Sequence, residues 1–145
     1  MKKFTFPLSR VMDWRDTQAR VEESKLENLY AELRAIDTQI AAVLAARAQS
    51  DEAVLTVASV TGAELAAIDT FRRFSVAEHT RLNRVRRECS KRIAAQIQAV
   101  AAKRRDVRLL ERLKQQRLVA WKTDFSKEID AQAEESHLAR WNARH

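Results

Sequence analysis

The chain has 145 residues, of which 32% are charged, a formal net charge of +7, and only one glycine and one proline. Sheet proteins and globules with many turns need glycine and proline for their turn conformations, so the composition excludes both classes. Alanine, leucine, arginine, glutamate, lysine and glutamine are strong helix formers and dominate the sequence. We therefore expect a single all-α domain over residues 1–145, built from a few long helices.

Cysteine content and hydropathy favour a cytoplasmic protein. The single Cys89 has no cysteine to pair with inside the chain. Lys2 and Lys3 are not followed by the apolar run of about 7 to 15 residues that a signal peptide requires. Apolar stretches such as residues 41–46 are too short to span a membrane. We expect a cytoplasmic location, free or peripheral to a larger assembly.

The first helix is predicted over about residues 8–55. Leu8, Val11 and Trp14 begin an apolar face near its start. Further along, apolar residues recur at alternating steps of three and four, which is the heptad pattern of a coiled-coil seam. These seam residues are Leu26, Leu29, Leu33, Ile36, Ile40 and Val43.

A hinge is predicted at about residues 56–62, where hydroxylated and β-branched residues weaken the helix propensity. Thr61-Gly62-Ala63-Glu64 matches a capping box. In this motif the Thr61 hydroxyl accepts from the Glu64 N–H, and the Glu64 carboxylate accepts from the Thr61 N–H. Gly62, the one glycine, lies at this break.

The second helix is predicted over about residues 62–140, with a less regular apolar face that Arg72, Arg86 and Lys103 interrupt. The members of this face are Leu65, Ile68, Phe71, Leu82, Val85, Cys89, Ile93, Val100, Val107, Leu110, Leu118, Trp121, Phe125 and Ile129.

Folding the chain back at about residue 60 aligns the two apolar faces, which favours an antiparallel coiled-coil hairpin. The predicted pairs are Leu33 with Cys89, Leu29 with Ile93, Ile40 with Leu82, and Trp14 near Val107 and Leu110. A dimer of straight helices stays open, because heptads alone do not fix helix orientation.

The unequal helix lengths predict an overhang of about 30 residues, or about 45 Å, at the end of the second helix. An apolar stripe without a partner is a candidate interaction site, unless the overhang folds back or frays. This stripe consists of Leu118, Trp121, Phe125, Ile129 and Leu138.

Charge is concentrated in the second half of the chain. Residues 72–122 hold 16 Lys/Arg against 4 Asp/Glu, a net charge of +12, which indicates an acidic partner. The basic runs at residues 84–87 and 103–105 spread around a helix and have no aromatic residues among them. Specific nucleic-acid binding is therefore not expected, and a basic nucleic-acid-binding hairpin is kept as an alternative.

Catalytic motifs are absent from the sequence. The three histidines have no second ligand at metal-binding spacing, and one glycine cannot make a phosphate-binding loop. Cys89 lies on the apolar face, where a small core residue is expected. We predict a protein that is not an enzyme and has neither a cofactor nor a bound metal.

Three segments resemble the FliJ family of flagellar export proteins. MKKFTFPLSRV (residues 1–11) is similar to the family's basic and aromatic opening, and LLERLKQQR (109–117) to its leucine- and arginine-rich segment. KEIDAQA (127–133) resembles the end motif, with Ala131 in place of the usual glutamate. The resemblance covers nearly the whole chain, and stalk proteins of virulence type III secretion systems are similar too.

The resemblance implies a cytoplasmic coiled coil, similar in shape to the γ subunit of rotary ATP synthases, that lies at the inner membrane through its partners. Its implied partners are the hexameric export ATPase, the export gate membrane protein and export chaperones. The ATPase-binding candidates are Phe4, Phe6, Leu8, Val11, Arg117, Leu118, Trp121, Phe125 and Ile129. The gate-binding candidates are Phe71, Phe74 and Leu82, although seam packing is the favoured interpretation of Leu82. A coiled-coil scaffold that homo-oligomerises is the main alternative function.

Overall fold

A computed structural model describes residues 2–145, so that Met1 of the opening motif lies outside the described residues. Helix α1 spans Ser9–Thr56 and helix α2 spans Gly62–Arg144, and residues 2–145 contain no strand. The two helices contact each other as an antiparallel hairpin, which confirms the predicted all-α fold. Their bounds are close to those predicted, but α2 continues beyond residue 140 to Arg144.

The hairpin divides into two units, each made of a part of α1 and a part of α2. Unit one contains the residues up to Arg20 together with Ala101–His145. Unit two contains Val21–Val100, and therefore includes the connection between the helices.

The core of unit two is the predicted coiled-coil seam. Ile36, Cys89 and Ile93 are buried at its centre. The Cys89 thiol donates a hydrogen bond to the Leu29 carbonyl oxygen, with 3.6 Å between sulfur and oxygen. This contact agrees with the predicted register and with Cys89 as a small core residue. The partly buried residues packed against this centre are Leu26, Leu29, Leu33, Ile40 and Val85.

Ion pairs between the helices border the seam of unit two. The pairs are Arg72–Asp51 at 2.8 Å, Arg86–Asp37 at 2.6 Å and Arg92–Glu32 at 2.6 Å. The residue numbers of each pair sum to about 122, as an antiparallel register requires. Thus Arg72 and Arg86, which interrupt the apolar face in the sequence, are positions where α2 binds acidic residues of α1. Hydrogen bonding to Glu32 raises the pKa of Arg92.

Unit one has a smaller core, in which Ala19 and Val107 are buried. Arg104 pairs with Asp16 at 2.8 Å across the two helices. Trp14, which was predicted to lie near Val107, is 55% exposed, and the Arg15 guanidinium lies 5.1 Å from the centre of its ring. The short side chain of Ala19 occupies the buried position of α1 instead.

The predicted capping box starts α2. The Thr61 hydroxyl accepts from the Glu64 N–H, and the Glu64 carboxylate accepts from the Thr61 N–H, both at 3.2 Å. Gly62 does not have a positive φ, and a Cβ added to it would meet nothing within 4 Å. The reversal therefore comes from the non-helical residues 57–61 and not from a glycine conformation.

This cap predicts opposite effects for two neighbouring substitutions. Thr61→Ala should lower the free energy of unfolding by about 1 kcal/mol, because it removes the N-cap acceptor. Gly62→Ala should raise it by about 0.5 kcal/mol, because alanine fits the space and reduces the freedom of the unfolded chain. Urea titrations followed by circular dichroism measure both changes. Destabilisation by Gly62→Ala would show that the start of α2 needs glycine.

The seam predicts a crosslink within one chain. Leu33→Cys introduces a thiol at the seam position predicted to face buried Cys89, and Leu33 packs against the core cluster that contains Cys89, so mild oxidation should join residues 33 and 89 of the same molecule. Non-reducing electrophoresis should then show a monomer of altered mobility. The control is Leu55→Cys, at a position where the wild-type leucine is 86% exposed, and it should give only dimers. If Leu33→Cys gave only dimers, the helices would pair between chains.

Candidate functional site

The segment before α1 lies against α2 in unit one. Phe6 is buried, and its carbonyl oxygen accepts a hydrogen bond from the Ser9 N–H at 3.1 Å. Pro7 suits this entry to the helix, because proline is tolerated where no helical N–H bond is required. The Leu8 carbonyl oxygen accepts the first helical bond, from the Met12 N–H at 2.9 Å. The opening residues are therefore ordered by packing before the helix begins.

Phe4, Trp121 and Phe125 form an aromatic cluster that joins the opening segment to α2. The rings of Trp121 and Phe125 are stacked, with centroids 5.3 Å apart and planes 5° from parallel. Phe4 lies 6.0 Å from Trp121 at a tilt of 55°. The Trp121 indole N–H donates to the Lys2 carbonyl oxygen at 3.2 Å. Aromatic pairs at such distances contribute about 0.5–1.5 kcal/mol beyond their buried area.

This cluster corrects the predicted overhang. Trp121 and Leu118 were expected to lack an intramolecular partner, but both are half-buried, and Trp121 contacts the opening segment. The overhang was predicted from helical residues only. Residues 2–8 are not helical, but they lie against α2 and shorten the overhang. The exposed apolar residues of the predicted stripe beyond this cluster are therefore Ile129 and Leu138.

The candidate ATPase-binding residues all lie in unit one. The structure brings Phe4, Trp121 and Phe125 into contact with one another. Phe6 is buried, which gives it a structural role in holding the opening segment. Leu8 and Leu118 are half-buried. The remaining candidates are exposed and accessible to a partner. The exposed candidates are Val11, Arg117 and Ile129.

Residues 126–145 of α2 are exposed except for half-buried Glu128. Leu138 and Trp141 are the large apolar side chains near its end, and Trp141 stacks on His145 with centroids 4.6 Å apart. Ile129 and Leu138 are exposed, and their role as an interaction stripe stays a prediction.

Phe71 and Phe74, two gate-binding candidates, line one groove of unit two. The groove has a volume of about 210 Å³, and Ala42, Val43, Ala46 and Ser75 complete its lining. Phe74 is 61% exposed at its edge. The Ser75 hydroxyl is satisfied by donating to the Phe71 carbonyl oxygen at 2.8 Å. Leu82 is only 2% exposed, which favours seam packing for this residue.

A second groove lies at the connection between the helices and was missed by sequence reasoning. It has a volume of about 330 Å³ and an apolar lining that includes Val54, Val57, Val60 and Ile68. Glu64 is the single charged residue between positions 53 and 68, in a chain that is 32% charged. That local absence of charge was the available signal for an apolar surface.

Chemistry-bearing groups do not cluster in the described part of the chain. Within residues 2–145, no three His, Cys, Asp or Glu side chains are grouped so as to hold a metal ion. A hydrogen bond from Arg81 lowers the pKa of Glu78. These two side chains form an ion pair on one face of α2. Neither described helix contains an apolar stretch of the length and hydropathy needed to cross a bilayer.

Comparison with known proteins gives no relative for this chain: no protein-family model, curated protein or solved structure matches it. The candidate sites are therefore defined by their geometry and their chemistry.

The aromatic cluster predicts that Phe6 controls access to Trp121. In a Trp14→Phe, Trp141→Phe background, Trp121 is the one fluorescent indole. Phe6→Ala should release the opening segment and increase quenching of Trp121 by iodide about twofold, because Phe4 and Lys2 then no longer cover the indole. Phe74→Ala, which changes an exposed ring of unit two, is the control. Equal quenching in all three proteins would show that the opening segment does not cover Trp121.

Proposed function

We propose that this protein is a non-enzymatic stalk of a flagellar type III protein export apparatus. In this role it binds the hexameric export ATPase, promotes assembly and activity of the ring, and links the ring to the export gate and to export chaperones. It acts in the cytoplasm, peripheral to the inner membrane through these partners. The resemblance of residues 1–11, 109–117 and 127–133 to the FliJ family suggests the class of protein.

The aromatic cluster is the observation that carries the proposal. The resemblance assigns ATPase binding to the opening and to the tail, which are more than 100 residues apart in sequence. In unit one Phe4 and Trp121 are in contact, so the two assigned segments form one surface. Aromatic residues at a protein surface are common anchors of interfaces, where a hot spot contributes about 2 kcal/mol or more. A single surface of this kind can bind inside a ring as one unit.

The groove of Phe71 and Phe74 supports a second contact, to the export gate. It lies in unit two, whereas the aromatic cluster lies in unit one, so the two surfaces share no residue. Because Phe74 projects from the groove edge, an apolar partner side chain can pack against it without opening the seam.

The test is stimulation of the cognate export ATPase. Phe125→Ala combined with Trp121→Ala should abolish stimulation of hydrolysis and of ring assembly, because both anchors are removed. Helix content should be unchanged, since Trp121 packs against the non-helical opening segment through Phe4 and Lys2. Measurements of ATP hydrolysis, ring assembly and circular dichroism follow these effects together.

Leu138→Ala combined with Trp141→Ala is the matched control, since it also removes an exposed tryptophan and a neighbouring apolar residue from α2. It should keep the stimulation. Full activity in the Trp121 and Phe125 variant would refute the assignment of the cluster. A loss of helix content in that variant would mean that the cluster stabilises α2 and is not a free anchor.

A homo-oligomeric scaffold is the second candidate, and the exposed Leu138 and Trp141 favour it. Under that alternative, light scattering should give a dimer or larger species that Trp141→Ala converts to a monomer. If the protein is an export stalk, it should instead bind the ATPase when the stalk protein is at low concentration.

A further inference from the structure

One surface of α2 in unit one carries cations that the fold does not use. In the heptad where Val107 and Leu110 occupy a and d, the b, c and f positions point away from α1. Every residue at these positions between 105 and 123 is exposed, and we call them together the basic face. The basic face consists of Arg105, Arg108, Leu109, Arg112, Gln115, Gln116, Val119, Lys122 and Thr123.

The basic face has no acidic residue, and its charges are not neutralised within the described chain. The neighbouring Arg104 and Asp106 each pair with α1, to Asp16 at 2.8 Å and to Arg15 at 3.6 Å. By contrast, none of the described acidic groups lies within ion-pair distance of the four cations of the basic face. The cations of this part of α2 are therefore of two kinds. Some pair with α1 and join the helices, and those of the basic face stay free.

Two aliphatic side chains lie among these cations. Leu109 is 57% exposed and Val119 is 53% exposed, although positions facing water on a charged helix are usually polar. They are ten residues apart, which corresponds to about 15 Å of helix. A phosphate backbone is bound by charge and gains little from exposed leucine and valine. An amphipathic helix with acidic flanks matches both the cations and the apolar side chains.

We propose that the basic face binds an acidic amphipathic helix of another protein. The apolar stripe of that helix packs on Leu109 and Val119 over about three turns. Its carboxylates accept hydrogen bonds from Arg105, Arg108 and Arg112, whose guanidinium groups suit two-pronged binding of carboxylates. This inference goes beyond the proposed function, since the basic face excludes the aromatic cluster and needs no ATPase.

The probe is a synthetic 21-residue peptide designed as a helix, with leucines at i, i+3, i+4 and i+7, glutamates flanking that stripe and alanines on the opposite face. Fluorescence anisotropy should show micromolar binding to the full-length protein. Raising the salt from 50 to 300 mM should weaken it about fivefold, because exposed charges are screened. Arg105→Gln with Arg108→Gln and Arg112→Gln should weaken it about tenfold or more.

Arg84→Gln with Arg87→Gln and Lys91→Gln is the matched control. It removes the same number of charges from b and f positions of α2, but from unit two, where Glu88 lies beside them and no leucine is exposed among them. This variant should bind the peptide within about twofold of the wild-type protein. Equal losses in the two variants would mean that net charge alone attracts the peptide, which would overturn the proposal.

Leu109→Ala with Val119→Ala separates a protein partner from a polyanion. Both side chains are exposed, so helix content should be kept, whereas peptide affinity should fall about tenfold with the loss of apolar contact. Unchanged affinity in this variant would overturn the proposal. Tighter binding of a duplex DNA fragment than of the peptide, at 150 mM salt, would also overturn it in favour of nucleic acid. No ATPase is present, so these outcomes are independent of the proposed function.

Discussion

The packing of α1 against α2 along one narrow seam is the interaction on which every other feature depends. Two helices can bury one stripe of each against the other, and the buried apolar residues of unit two are Ile36, Leu82, Cys89 and Ile93. So small a core has little capacity to fix the register. The arginine–carboxylate pairs beside the seam supply the missing specificity, although exposed pairs add little to the free energy of folding.

A two-helix layer also leaves most of its surface in water, and that surface carries the candidate functional residues. Large apolar side chains off the seam have no second layer to cover them, as Leu55, Phe74 and Trp141 illustrate. Where apolar residues line one open groove, as Phe71 and exposed Phe74 do, they form a candidate interaction site. The proposed role in an export assembly depends on such exposed apolar surfaces.

Charge is divided by the same geometry. Helix α1 supplies carboxylates to Arg72, Arg86, Arg92 and Arg104, so these cations are structural. The cations on the side of α2 away from α1 have no such partner, and in unit one they surround Leu109 and Val119. The basic segment of the sequence therefore contains cations that pair with α1 and cations that face away from α1. Only the cations that face away from α1 are available to an acidic partner.

The sequence by itself determined the two helices, the break near Gly62, the capping box and the pairing of the two apolar faces. These follow from local propensity and from a period of apolar residues, which neighbours in sequence are sufficient to specify. Only the tertiary structure decided that Phe4 meets Trp121, that Trp14 is exposed, and which arginines are neutralised. Each of these depends on contacts between residues far apart in the chain. The opening segment is also non-helical, so it has no periodic pattern of apolar residues from which its contacts could be predicted.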